Sequence, residues 1–108
     1  MQPKWLKKIR ENILKSELKP LFADEALVMG TIKARKEGET LKKEGNIRIE
    51  FIDMTNLKPI SRIVISLSTA KGLIRALQTQ VERLERDLES KELPKETQKK
   101  EPLLTYIG

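Results

Sequence analysis

The carboxylates nearest one another along an extended stretch are Glu50 and Asp53, and Ser61, Ser66 and Ser68 follow with hydroxyls. A carboxylate pair can divide acid and base roles, and a hydroxyl becomes a nucleophile once a base takes its proton. The chain has neither His nor Cys. The serines therefore lack the usual base, zinc lacks its two preferred side chains, and disulfides are excluded. No G-x-x-x-x-G-K phosphate loop is present. Structural roles are expected for all these groups, in a non-enzymatic protein without metal or cofactor.

The remaining chemistry is charge. Lys4, Lys7, Lys8, Arg10, Lys15 and Lys19 stand against Glu11 and Glu17, so residues 1–19 carry six minus two, or +4 of the net +6. Such a cluster can contact phosphates, releasing counterions from nucleic acid and giving a steep salt dependence. Lys33, Arg35, Arg48 and Arg62 can extend the patch along outward strand faces, where Glu50 interrupts it. No aromatic stands there to stack a base, so binding without sequence specificity is the expectation. The blander reading, and the commoner outcome for a charge run, is a solvated outer face. Trp5, Leu6, Ile9 and Ile13 would then dock on the exposed side of a sheet. A basic amphipathic helix with a Trp can also lie on an anionic membrane. That reading ranks lower, because the apolar stripe has a sheet to cover.

Positioning these side chains requires few elements. Pro3 and Pro20 bracket a basic amphipathic helix over 3–19. Alternation predicts strands at 26–36, with Val28, Ile32 and Ala34 on one face, and at 46–53, with Ile47, Ile49 and Phe51 inward. A third strand at 60–66 places Ile63 and Ile65 opposite Arg62 and Val64. The charged KEGETLKKEG stretch from Lys36 to Gly45 reads as a hairpin loop, and Met54 to Pro59 as a turn. Ser66 or Ser68 can cap a final helix over 68–92, which Pro94 ends. Gly72 costs that helix about 1 kcal/mol relative to Ala and suits close packing.

The last helix carries Leu67, Ala70, Ile74, Leu77, Val81, Leu84 and Leu88 in alternating three- and four-residue steps. This is a heptad a/d seam. Ala70, Leu73, Ile74 and Leu77 are expected to cover the sheet, as on any core-facing helix. About 25 residues of helix span some 37 Å, more than three modest strands can cover. Val81, Leu84 and Leu88 are therefore expected to form a homodimer seam. β-branched residues at a with Leu at d follow the parallel two-stranded preference.

Arg62 to Glu85 resembles the signature block of a family of small uncharacterised prokaryotic proteins, R-I-V-[LM]-[ST]-P-x-x-A-K-x-L-x-x-A-L-x-x-[NQ]-[IV]-x-x-[YL]-E. The matching positions are Arg62 to Ser66, with Ile65 an aliphatic equivalent of the [LM] position, and Ala70, Lys71, Leu73, Ala76, Leu77, Gln80, Val81, Leu84 and Glu85. Leu67 stands where the family has a helix-starting proline, and Leu84 where a tyrosine is common. The strands upstream are similar in order and length, so the resemblance covers about two thirds of the chain. It implies a β-meander followed by a helix, and no activity.

The whole reads as an α+β protein: an N-terminal basic helix, a three-stranded antiparallel β-meander and a long C-terminal amphipathic helix. Residues 1–93 form one domain and 94–108 a C-terminal tail. The tail's PLLTYIG segment is read first as an added edge strand or plug, next as an exposed peptide. Leu103, Tyr106 and Ile107 could contact a protein partner at a spacing that faintly resembles a sliding-clamp peptide. The longest apolar run, Ala26 to Met29, is far short of the roughly 20 residues that cross a bilayer. Met1 to Arg10 lacks signal-peptide character, which predicts a cytoplasmic address. Abundant Lys and Glu with scarce Asn, Gln and Cys match a composition reported for hyperthermophiles. The expected function is an accessory protein binding nucleic acid or a ribonucleoprotein; the alternative is a homodimeric assembly factor with no nucleic-acid role.

Overall fold

In the computed structural model, residues 2–91 are described. The elements run α1 (Lys4–Lys15), β1 (Glu25–Glu37), β2 (Thr40–Asp53), β3 (Lys58–Ser66) and α2 (Leu67–Glu89), the α+β order read from the sequence. The expected tail at 94–108, with Leu103, Tyr106 and Ile107, lies outside the described residues.

The three strands form one antiparallel sheet in the order β1-β2-β3. Residues directly opposite in an antiparallel pair share a face. The register therefore stacks Val28, Ile49 and Ile63, and beside them Gly30, Ile47 and Ile65, on the apolar face. Leu27, Glu50 and Arg62, and Met29, Arg48 and Val64, share the other.

The KEGETLKKEG stretch is a correction: the loop narrows to Gly38 and Glu39, because β1 and β2 pair as far as Glu37 and Thr40. A two-residue turn that follows the strand twist needs a positive φ, and Gly38 supplies it at 63°. β3 pairs with β2 only from Asn46 onward, so the distal part is a bare two-stranded ribbon. Its tip is tied by Arg35 to Glu37 at 2.8 Å and Lys42 to Glu37 at 2.9 Å. Exposed pairs of this kind contribute little each.

The first helix ends at Lys15, short of the expected Lys19. Ser16 is extended, at φ −67° and ψ 139°, and its hydroxyl accepts the Leu18 N–H at 3.1 Å. That local bond offers the backbone an alternative to another helical turn. Leu18, Leu21 and Phe22 follow, all exposed, before Asp24 fixes the chain to the sheet. The Asp24 N–H donates to the Ile52 carbonyl at 3.2 Å, and its carboxylate accepts the Met54 N–H at 2.8 Å. In the β2–β3 turn, the Asn56 amide and then the backbone N–H of Thr55 hold the Asp53 carboxyl below its usual pKa.

β3 passes into α2 with no residue between them. Ser66 is the N-cap: its hydroxyl accepts the Thr69 N–H at 3.1 Å. Replacing Ser66 with Ala is expected to cost about 1 kcal/mol, read as a lower urea midpoint at unchanged slope.

The side of α2 turned inward is not the one expected. Gly72 and Ala76 are its buried residues, flanked by half-buried Ala70 and Leu73 and continued by Gln80, Arg83 and Asp87. Ile74 and Leu77 were expected on the sheet with Ala70 and Leu73, and they are exposed. At 100° per residue the large-residue seam is rotated by roughly a quarter turn from the inward stripe. Small residues let the helix lie close where the capped junction fixes its path.

The core is correspondingly thin. Ala76 is the only buried apolar residue, and no large side chain is fully buried, among the described residues. The radius of gyration is 18.3 Å, against about 13 Å for a compact domain of this length. Ordering a residue costs about 1–2 kcal/mol in backbone entropy alone, so so little burial leaves the fold dependent on further contacts.

Candidate nucleic-acid interface and apolar seam

Among the described residues, α1 packs against none of the other four elements. The docking of Trp5, Leu6, Ile9 and Ile13 on this chain's own sheet is therefore corrected. Ile9 and Ile13 are exposed, while Leu6 is half-buried. Lys4, Lys8 and Lys15 lie opposite this stripe, with Lys7 beside them, and all four are exposed. None of the four has an ion-pair partner among the described residues. No acidic residue occupies the first turn, so Lys4 and Lys7 add to the positive end of the helix dipole. The local cost of that arrangement is a field suited to anions. Arg10 is exposed on the same helix, and Lys19 lies beyond its end in the extended connector.

The sheet's cations are placed differently. Glu50 is 7% exposed and sits between two arginines. Arg62 Nε donates to its Oε1 at 2.5 Å, and Arg48 Nε approaches the same oxygen at 3.4 Å. Arg48 also donates through Nη2 to the Met29 sulfur at 3.8 Å. Arg35 is held by Glu37, and only Lys33 of the four expected strand cations has no ion-pair partner among the described residues. Glu50 does more than interrupt the patch. It takes up two of its members.

That role was readable from Arg48 two residues before Glu50 on one strand face, and from Arg62, which the register places opposite it. Glu50→Ala is expected to cost about 1–3 kcal/mol in denaturant unfolding, from the lost charged hydrogen bond of Arg62, the lost ion pair with Arg48 and an emptied buried site. Both guanidiniums reach solvent and can rehydrate, which keeps the loss below that of a fully buried pair.

No family model, curated protein or solved structure matches the chain. No group of three or more metal-ligating side chains occurs among the described residues, and no described helix is long and apolar enough to cross a membrane.

The second feature is the seam. Ile74 is 65% exposed, Leu77 55%, Val81 49%, Leu84 51% and Leu88 83%. The stripe thus runs uncovered along nearly all of α2, not only at its distal Val81, Leu84 and Leu88. Leu67 begins it and is also exposed. Leu67 further lines an open groove of about 430 Å³ on the sheet, with Ile32, Ile47 and the strand glycines Gly30 and Gly45. A Cβ at Gly30 would meet nothing within 4 Å, and one at Gly45 only an ordinary contact with the Thr31 carbonyl. Nothing among the described residues requires those glycines.

Proposed function

We propose that the protein is a non-enzymatic accessory module that binds nucleic acid, free or in a ribonucleoprotein, through phosphate contacts and without sequence specificity. The observation that carries this reading is α1: a helix that meets no other described element, whose Lys4, Lys7, Lys8 and Lys15 are exposed and without an ion-pair partner among the described residues, while the sheet arginines are engaged by carboxylates. Arg10 and Lys19 widen the arm, and Lys33 adds a contact on the ribbon. The resemblance of Arg62 to Glu85 to uncharacterised prokaryotic proteins adds a fold and no activity.

Fluorescence anisotropy with a short duplex and a single-stranded RNA across a salt series tests it. Log affinity should fall linearly with log salt at a slope near −0.9 per phosphate neutralised on the duplex, with little change when the sequence is scrambled. Absence of binding at low salt would end the reading. The expectation that α1's apolar stripe covers its own sheet no longer argues against a lipid surface, so anionic vesicles serve as the control.

A second reading is a homodimeric assembly factor, in which the positive charge serves only solubility. The uncovered seam of α2 favours it. An apolar stripe of this length on a solvated helix is unusual in a protein that works alone.

A further inference from the structure

α2 has two apolar stripes, and its own sheet meets one of them. Gly72 and Ala76 face inward, while the larger Ile74, Leu77, Val81, Leu84 and Leu88 face out. We infer that the outer stripe is covered by α2 of a second copy running antiparallel, in a twofold dimer whose axis crosses the helices at the level of Thr79. This deepens the self-association of the second reading and is independent of nucleic-acid binding.

The charge distribution selects both the partner and the direction. The proximal half of α2 carries Lys71 and Arg75 and no acid; the distal half carries Glu82, Glu85, Asp87 and Glu89 against Arg83 and Arg86, two minus four. The halves are +2 and −2. α2 of a second copy is thus neutral as a helix, within a chain of net charge +6, and complementary only when reversed, whereas parallel alignment sets like against like.

Register gives the same answer. About an axis at Thr79, Ile74 of one helix faces Leu84 of the other, Leu77 faces Val81, and Ala70 faces Leu88. Every seam position from Ala70 to Leu88 meets a seam position, in the alternation of a and d layers that an antiparallel pair requires. On the flank of the seam, Lys71 then lies against Glu85 of the other helix, twice by symmetry. Both are exposed and have no ion-pair partner among the described residues. A parallel pair would set Gln80 against Glu85 and form no such bridge. The a/d preference for parallel pairing is a weaker term than two opposed charge pairs and the reversed polarity of the halves.

The antiparallel arrangement also shelters the overshoot. It brings the distal end of each helix to the other's body, with Leu88 at the level of Ala70, one turn from Leu67 and the glycine-floored groove. Seam and groove form one continuous apolar surface through Leu67. It has eight aliphatic side chains, Ile32, Ile47 and Leu67 at the groove and the five of the outer stripe, for a second copy to cover.

Light scattering without nucleic acid should give twice the 12.5 kDa chain mass at tens of micromolar. The chain has no Cys, so oxidised mixtures of Leu77→Cys and Val81→Cys copies should form the mixed disulfide about fivefold or more over either same-site one. Lys71→Glu should weaken association by roughly tenfold, and adding Glu85→Lys should restore it. A monomer mass, same-site disulfides outpacing the mixed one, or failure of the double variant to recover would each overturn the proposal. Loss of nucleic-acid binding with an intact dimer mass would instead strike the α1 reading alone.

Discussion

Replacing Lys4, Lys7, Lys8 and Lys15 together with Gln is expected to remove most of the salt dependence of nucleic-acid binding. If each neutralises one phosphate, the slope of log affinity against log salt should become shallower by about 3.6 on duplex DNA. Raising salt from 50 to 200 mM would then weaken the native protein by about two decades more than the variant. All four side chains are exposed on a helix that packs against no other element, so the fold should be unaffected, and unchanged far-UV circular dichroism checks this. Glutamine keeps helix propensity near that of lysine, which confines the change to charge. Glu50→Ala should act in the opposite direction, because freeing Arg48 and Arg62 steepens the slope. If the fourfold variant keeps the native slope, phosphate contact by α1 is wrong.

Ile74→Asp is the sharper test of the seam, since its outcome depends on whether a second chain is present. In an isolated chain Ile74 is mostly solvated, and such an exchange at an exposed site shifts stability by about 0.5 kcal/mol. Between two packed helices the same carboxylate loses its water, and the cost rises to several kcal/mol. The dimer should dissociate, with a fall of 10 °C or more in midpoint, roughly, at micromolar concentration. Native protein should itself melt about 3–6 °C lower for each tenfold dilution, because mass action links folding to association. A midpoint that ignores both dilution and Ile74→Asp would leave the seam without a partner.

The meander was legible because its inner half obeys a simple rule. Ile47, Ile49 and Phe51 alternate with Arg48 and Glu50, and the register keeps each set on one face. The outer half, Lys36 to Gly45, was not, because a ribbon wet on both faces has no apolar alternation to betray it. Thr40 to Glu44 reads equally as loop. The end of α1 turned on one hydroxyl, at Ser16, that propensity does not single out.

The orientation of α2 was misread for a more instructive reason. Large aliphatic residues are normally assigned to the core, and here they face out, while Gly72 and Ala76 face in. What fixes this is the junction at Ser66, a geometric constraint that composition does not carry. The candidate site divides the same way. The lysines of α1 could be named from charge alone, whereas Glu50's capture of Arg48 and Arg62 required the pairing of two strands.

Because β3 runs straight into α2, with Ser66 closing the strand and capping the helix in a single residue, there is no slack between the two. Sheet and helix should pivot as one lever. A load on the far end of α2 is expected to reach the sheet through this junction and through the contacts of α2 with β2 and β3. Inserting a few flexible residues after Ser66 should loosen that coupling and also remove the Thr69 cap.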